Sequence, residues 1–172
     1  MVLRADAQRN LERVLDAATQ AFTASGPAAS IDDIARRAGV GHGTVLRRFP
    51  TKDDLIYAVI ERRVCEIREL LEREVKAADP GEAFFRAITK IAEMHMDAPG
   101  LHQCVLRCGK PDAAELDVLG EKLVARAQRA GTVRRDLKPA DVSRLIRGAL
   151  ESAPPEHWRR YLDVVLDGLR VR

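Results

Sequence analysis

ARRAGVGHGTVLRRF, residues 35–49, is the stretch on which the fold turns. Glycines stand at 39, 41 and 43, His42 lies between the last two, and an arginine pair precedes Phe49. The dinucleotide-binding fingerprint is G-x-G-x-x-G, set after a strand and opening a helix. Here the spacing is G-x-G-x-G, and the residues before it have a helical pattern. A P-loop needs G-x-x-x-x-G-K-[ST], whereas Gly43 is followed by Thr44 and Val45. Both nucleotide loops fail on spacing and on context. Two short helices joined by a tight turn fit every position. Gly39 supplies the residue tolerant of positive φ, and Val40 the apolar anchor between the helices. Gly41 is the N-cap, Gly43 lets the backbone approach a groove closely, and Val45 faces inward. His42, Thr44, Arg47 and Arg48 are left pointing outward.

The flanks agree with a helical chain. Leu11, Val14, Leu15, Ala18 and Phe22 follow the spacing of one buried helical stripe, with Asp6 as the expected cap and Gly26-Pro27 as the stop. Ser30 to Asp33 is an S-x-x-D variant of the capping box, opening a short helix with Ile31, Ile34, Ala35 and Ala38 inward. Thr51 to Asp54 is a second such box. It opens a long fourth helix whose stripe is Leu55, Val59, Ile60, Val64, Ile67, Leu71 and Val75. Further helices are predicted over Glu82–Asp97, Leu101–Cys108, Ala113–Ala130, Pro139–Glu151 and Pro155 to about Arg170, with a loop at Gly109–Asp112. No strand, internal repeat or low-complexity tract stands out. The expected fold is all-α with about nine helices. Residues 1–55 form a three-helix helix-turn-helix domain, joined by the long fourth helix to a helical bundle over 56–172.

Composition bounds the function. Scarce aromatics, with Ala, Leu, Arg and Glu dominant, favour helix over sheet. No apolar run approaches the roughly 18 residues that span a bilayer. The N-terminus lacks the apolar stretch of a signal peptide. Cys65, Cys104 and Cys108 are too few for a disulfide framework. These features predict a cytoplasmic protein with no membrane partner. Residues 1–52 carry eight Lys/Arg against five Asp/Glu, and the rest of the chain carries 21 of each. All the excess positive charge therefore lies in the first third, as a polyanion partner there would require. Double-stranded DNA would meet the hydroxyls of Ser30 and Thr44, backbone N–H groups at helix starts, and Arg48 and Lys52 for phosphates. His42 and Arg47 can reach base edges, arginine being well matched to guanine O6 and N7. The bland alternative is that Arg36, Arg37, Arg47 and Arg48 form a solvated helix face.

Residues 7 to about 60 resemble the DNA-binding domain of the tetracycline-repressor (TetR) family of transcriptional regulators. The resemblance is carried by Leu15-Asp16-Ala17-Ala18 and Phe22, then by Ser30, Asp33-Ile34-Ala35 and Ala38-Gly39-Val40. Gly43-Thr44-Val45, Arg47, Phe49-Pro50-Thr51-Lys52 and Leu55 complete it. The segments AGTVRRDLKPADVSRLIRGAL and WRRYLDVVLDGLR are similar to the last helices of many actinobacterial-type members. The resemblance implies a bacterial homodimeric repressor whose operator affinity falls when a small molecule binds in the C-terminal bundle. Two positions depart from the family pattern. Gly41 stands where the family often has Ser, and Leu46 where it often has a phosphate-contacting Tyr. Leu46 offers the DNA an apolar contact, such as with a thymine methyl.

In the bundle, Trp158, Tyr161, Leu162, Val165, Leu166 and Leu169 form a wider stripe than one packing face needs. With Val142, Leu145, Ile146 and Leu150 they suit a four-helix dimer interface, two helices from each subunit. An ordinary buried helix pair is the simpler reading of the same residues. Phe84, Phe85, Ile88, Met94, Leu101, Val105 and Leu119 are the candidate lining of an apolar effector pocket, or simply core. His95, His102, Cys104 and Cys108 cluster in sequence, which leaves open a metal- or thiol-responsive regulator using Cys104 and Cys108. No C-x-x-C or H-x-x-x-H pair supports metal binding, and no nucleophile elbow, H-E-x-x-H or carboxylate pair outside amphipathic helix faces supports an enzyme. No cofactor or resident metal is expected. An all-α protein-interaction adaptor is the remaining alternative.

Overall fold

The computed structural model describes residues 2–108 and 114–171, with side chains throughout except those of 2–5 and 106. Among the described residues there are nine α-helices. They are α1 (Val2–Ser25), α2 (Ile31–Ala38), α3 (His42–Arg48), α4 (Lys52–Val75), α5 (Pro80–Met96), α6 (Pro99–Cys108), α7 (Ala114–Arg129), α8 (Pro139–Ser152) and α9 (Trp158–Leu169). A single 3-10 turn, Gly26–Ala28, follows α1. The one β feature among the described residues is an isolated antiparallel bridge between Val133 and Arg170. The loop expected at Gly109–Asp112 lies outside the described residues. No helix is long and apolar enough to cross a membrane, among the described residues.

Four helix starts differ from expectation: those of α1 and α9, and those of α5 and α6, which begin at Pro80 rather than Glu82 and at Pro99 rather than Leu101. The first helix begins at Val2, and Asp6 is an interior residue paired with Arg9 rather than a cap. The last begins at Trp158 rather than Pro155, because residues 155–157 form a turn in which His157 N–H donates to the Pro154 carbonyl at 2.9 Å.

Contacts group the chain into two compact units. One takes the described residues of Met1–Arg63 and Asp97–Pro111; the other takes those of Val64–Met96 and Asp112–Arg172. This grouping does not follow a boundary at residue 55. Ile56, Val59 and Ile60 of α4 are buried in the first unit's core, and so are Ala98, just before α6, and Leu101 and Cys104 of α6.

In the first unit, α1 lays Val14, Ala17, Ala18, Ala21 and Phe22 against Ile34, Ala35 and Ala38 of α2 and Val45 of α3. Between α2 and α3, Gly39 adopts φ 66° and ψ 36°, the left-handed region in which a Cβ is disfavoured. Its N–H and that of Val40 close the end of α2 on the Arg36 and Ala35 carbonyls. Val40 packs half-buried against the core. α6 seats on α1 at Gly100, where a Cβ would collide with the Phe22 carbonyl and lie 2.6 Å from that of Thr23. Only glycine permits so close an approach of two backbones. Arg107 of α6 pairs with Asp53 of α4 at 3.0 Å.

The two similar capping signals have different outcomes. At α4 the Thr51 Oγ1 accepts from Asp54 N–H at 3.1 Å, and the Asp54 carboxylate accepts from Thr51 N–H at 2.9 Å. That is a complete capping box. At α2 the Ser30 Oγ accepts from Asp32 N–H at 3.2 Å, but Asp33 does not reach back. Its carboxylate is taken by Arg37 at 2.7 Å and by Arg36. Hydrogen bonds from Thr51 hold the Asp54 carboxyl below the usual aspartate range. A group whose folded pKa is lowered stabilises fully above its unfolded value, about 4, and loses that contribution as pH falls through the lowered value. Thr51→Ala is expected to cost about 1 kcal/mol at pH 7 and to cost less near pH 2. Thermal unfolding at the two pH values checks this, and a cost independent of pH would remove Asp54 from the explanation.

The second unit has its own core. It comprises Leu71 and Val75 of α4, Phe84, Phe85 and Ala87 of α5, Leu123, Val124 and Ala127 of α7, and an apolar stripe from α8 and α9. Glu74, buried in this unit, receives two bonds from the Arg86 guanidinium at 2.7 and 3.3 Å. The Arg126 guanidinium caps the end of α4, donating to the carbonyls of Val75 and Ala77, the latter at 3.0 Å. The chain's last described residues fold back on the loop after α7. Arg134 N–H donates to the Leu169 carbonyl at 2.9 Å and Val171 N–H to that of Thr132 at 3.3 Å. This places the Arg170 guanidinium 3.8 Å above the Phe85 ring.

Candidate nucleic-acid interface

The turn at Gly39 sets α3 across α2, and Val45 anchors it by being wholly buried. A seven-residue helix with one inward residue keeps little of its surface for packing. His42, Gly43, Arg47 and Arg48 are exposed, and Thr44 and Leu46 are half-buried. Gly41 caps α3 through its backbone alone: its carbonyl accepts from Thr44 N–H at 2.9 Å, and no side chain contributes. A Cβ on Gly43 would meet nothing within 4 Å. The glycine is therefore not required by packing within this chain, and its bareness faces outward.

The polar groups on this face are held by neighbours. Arg47 Nε–H donates to the Gly43 carbonyl at 3.1 Å, and its Nη2 to Thr44 Oγ1 at 3.4 Å. The guanidinium thus lies along the helix with Nη1 unbonded among the described residues. Arg48 rests 5.5 Å from the Phe49 ring centroid. His42 Nδ1 is 2.5 Å from Asp32 Oδ1 of α2, a partner the sequence reading did not name. Ten residues and a turn separate the pair, so no periodicity could have revealed it. Ser30 is exposed at the start of α2, and Lys52 half-buried at the start of α4. Arg36 and Arg37 are spent on Asp33, so for these two the solvated-face reading fits. Their hydrogen bonds, Arg37 first, also lower the Asp33 pKa.

The other candidate residues fall as follows. Phe84, Phe85, Ile88 and Leu119 belong to the second unit's core, with the Phe84 and Phe85 rings edge to face at 5.1 Å. Leu101 and Val105 belong to the first unit's core. Met94 is half-buried on α5. Of the α8 and α9 set, Val142, Ile146, Trp158, Leu162, Leu166 and Leu169 are buried within the unit itself. Leu150 and Val165 are half-buried against that core. Leu145 and Tyr161 are 47% and 43% exposed, and Val164 is 67% exposed. Covering α5 and α7 uses most of the stripe, and a narrower apolar strip is left outside.

Cys104 is buried in the first unit and Cys108 half-buried. Burial raises both thiol pKa values above the ordinary cysteine range, which keeps them protonated and weak as nucleophiles or ligands. His95 and His102 are exposed. No group of three or more His, Cys, Asp or Glu that could hold a metal ion occurs among the described residues.

A short, outward-facing helix held by a left-handed glycine turn defines a helix-turn-helix protein. Comparison with known proteins gives the family. Residues 14–59 match the model described as bacterial regulatory proteins, tetR family. Residues 79–171 match that of the SbtR-like transcriptional regulator C-terminal domain. The chain belongs to the TetR family of transcriptional regulators. A TetR transcription regulatory protein from Mycobacterium vanbaalenii is 40% identical, with a TM-score of 0.79 over 98% of this chain and 99% of that one. The regulator SCO0520 of Streptomyces coelicolor is 28% identical, with a TM-score of 0.75 over 92% and 97%. HTH-type transcriptional repressor Rv3405c of Mycobacterium tuberculosis is 39% identical over 104 residues, 60% of this chain and 54% of that protein. The matched region thus spans about half the length of that curated relative.

Proposed function

We propose that this chain is a homodimeric, sequence-specific DNA-binding repressor, released from a palindromic operator by a small, largely apolar ligand. The observation that carries the reading is the recognition helix. Val45 alone ties it inward, and His42, Thr44, Arg47 and Arg48 surround a glycine whose outer side is empty. Arg47 and His42 read base edges, while Arg48, Lys52 and the Ser30 and Thr44 hydroxyls hold phosphates. Nothing in this role requires catalysis, and its place is wherever the DNA is, in the cytoplasm.

The second copy packs on the outer strip of α8 and α9, where Leu145, Tyr161 and Val164 are exposed. A two-fold arrangement sets the recognition helices about 34–36 Å apart, one turn of DNA. The effector site belongs to the second unit, around Phe84, Phe85, Ile88, Met94 and Leu119. Its aromatic and aliphatic side chains favour an apolar ligand.

The test is binding to fragments selected from a random palindromic pool, followed by fluorescence anisotropy across salt concentrations. The logarithm of affinity is expected to fall linearly with that of salt, with a slope of about −0.9 per phosphate neutralised. Absence of binding at low salt would sink the reading and favour an interaction adaptor.

Gly43 offers a separate check. Gly43→Ala is expected to stabilise the free chain by up to about 1 kcal/mol, since a helical glycine is replaced and the methyl meets open space. The same methyl is expected to weaken DNA binding by about 1 kcal/mol or more, through overpacking at the groove. A variant that gains stability and keeps full DNA affinity would show that Gly43 does not approach the DNA.

A further inference from the structure

Asp32 and His42 stand on opposite sides of the Gly39 turn, and that turn brings the carboxylate Oδ1 to 2.5 Å from the imidazole Nδ1. The Asp32 side chain has no other assignment in the fold. Ser30 caps α2 through the backbone N–H of Asp32, and the neighbouring arginines are taken by Asp33. An ionised carboxylate only accepts hydrogen bonds, so the proton of this contact sits on Nδ1. A neutral imidazole has one N–H, which leaves Nε2 as a bare lone pair. Nε2 has no hydrogen-bond partner among the described residues, and the His42 side chain is 48% exposed. In the major groove a lone pair complements the amino groups of adenine N6 and cytosine N4. Against guanine O6 or N7 it sets acceptor against acceptor.

We propose that Asp32 is a positioning residue for base recognition: it fixes His42 in the Nδ1–H form, so that the recognition helix reads an amino-bearing base edge, adenine or cytosine, through Nε2. The base-reading half rests on the DNA-binding function proposed above; the orientation of the ring does not. Asp32 touches no DNA in this scheme and acts through His42. It also makes the histidine unlike Arg47, whose guanidinium can only donate.

Two measurements test it on the full chain. Long-range 1H–15N NMR of the free protein is expected to find His42 protonated at Nδ1 and bare at Nε2. In Asp32→Asn, whose amide can donate as well as accept, the Nε2–H form should appear. Wild-type protein carrying a proton on Nε2, alone or on both nitrogens, overturns the proposal. In the second measurement the site selected from the random pool is changed base pair by base pair. Placing guanine in the base contacted by His42 is expected to weaken wild-type binding about five-fold, the worth of one hydrogen bond. His42→Ala should abolish that preference, and Asp32→Asn should reduce it to within about two-fold. A preference that survives undiminished in Asp32→Asn, or persists in His42→Ala, overturns the proposal. If wild-type protein selects no site at low salt, the DNA-binding function fails and base reading falls with it, while the NMR result still decides the orientation of the ring.

Discussion

Arg47→Ala is expected to weaken binding to the selected site by about ten- to a hundred-fold, the loss of one good bidentate base contact. Affinity for random DNA should change far less. The asymmetry is the informative part. Arg47 lies along α3, donating through Nε to the Gly43 carbonyl and through Nη2 to Thr44 Oγ1. Both partners are on its own helix, so no other element holds the guanidinium back from a base. Swinging out to guanine exchanges those bonds for base acceptors. Fluorescence anisotropy on both DNAs decides it. Equal loss on the two would make Arg47 a phosphate contact and move the reading of sequence elsewhere on α3.

Phe84→Ala is expected to destabilise the second unit by about 3–5 kcal/mol. Phe84 is wholly buried and packs edge to face with Phe85, whose ring also carries the Arg170 guanidinium. Truncation leaves a void that helices on either side cannot close without losing their own contacts. Trp158, the chain's one tryptophan, lies in the same core, so urea unfolding followed by its fluorescence reports on this unit. Phe84→Leu should cost much less, because most of the volume is kept. A loss below about 1 kcal/mol for alanine would mean that the site collapses or was never tightly packed.

What was legible in the sequence was local. A left-handed turn needs glycine, and Gly39 is one; the signal sits in the residue that obeys it. The apolar period of α1 and α4 was readable for the same reason. Competition between side chains was not. Ser30 to Asp33 and Thr51 to Asp54 look alike, yet only the second closes a box, because Arg36 and Arg37 stand where they can claim Asp33. The α8 and α9 stripe suits a dimer interface or an ordinary buried helix pair equally in sequence, and most of it covers the unit's own core. Sequence period marks which residues are apolar, not which neighbour they will meet. The placement of α6 was hidden most completely. Pro99-Gly100 reads as a helix breaker, and nothing local announces that Gly100 makes room for the backbone of α1.

That seat has a consequence for the order in which the molecule can form. The reading head looks like the first sixty residues, but Ala98, Leu101 and Cys104 are part of its core. A chain emerging from the ribosome has made α1, α2 and α3 well before α6 exists. Until residue 104 is free, the apolar side of α1 that α6 will cover stays wet. The head is therefore completed only after the α5 segment has been synthesised, and α1 waits for α6.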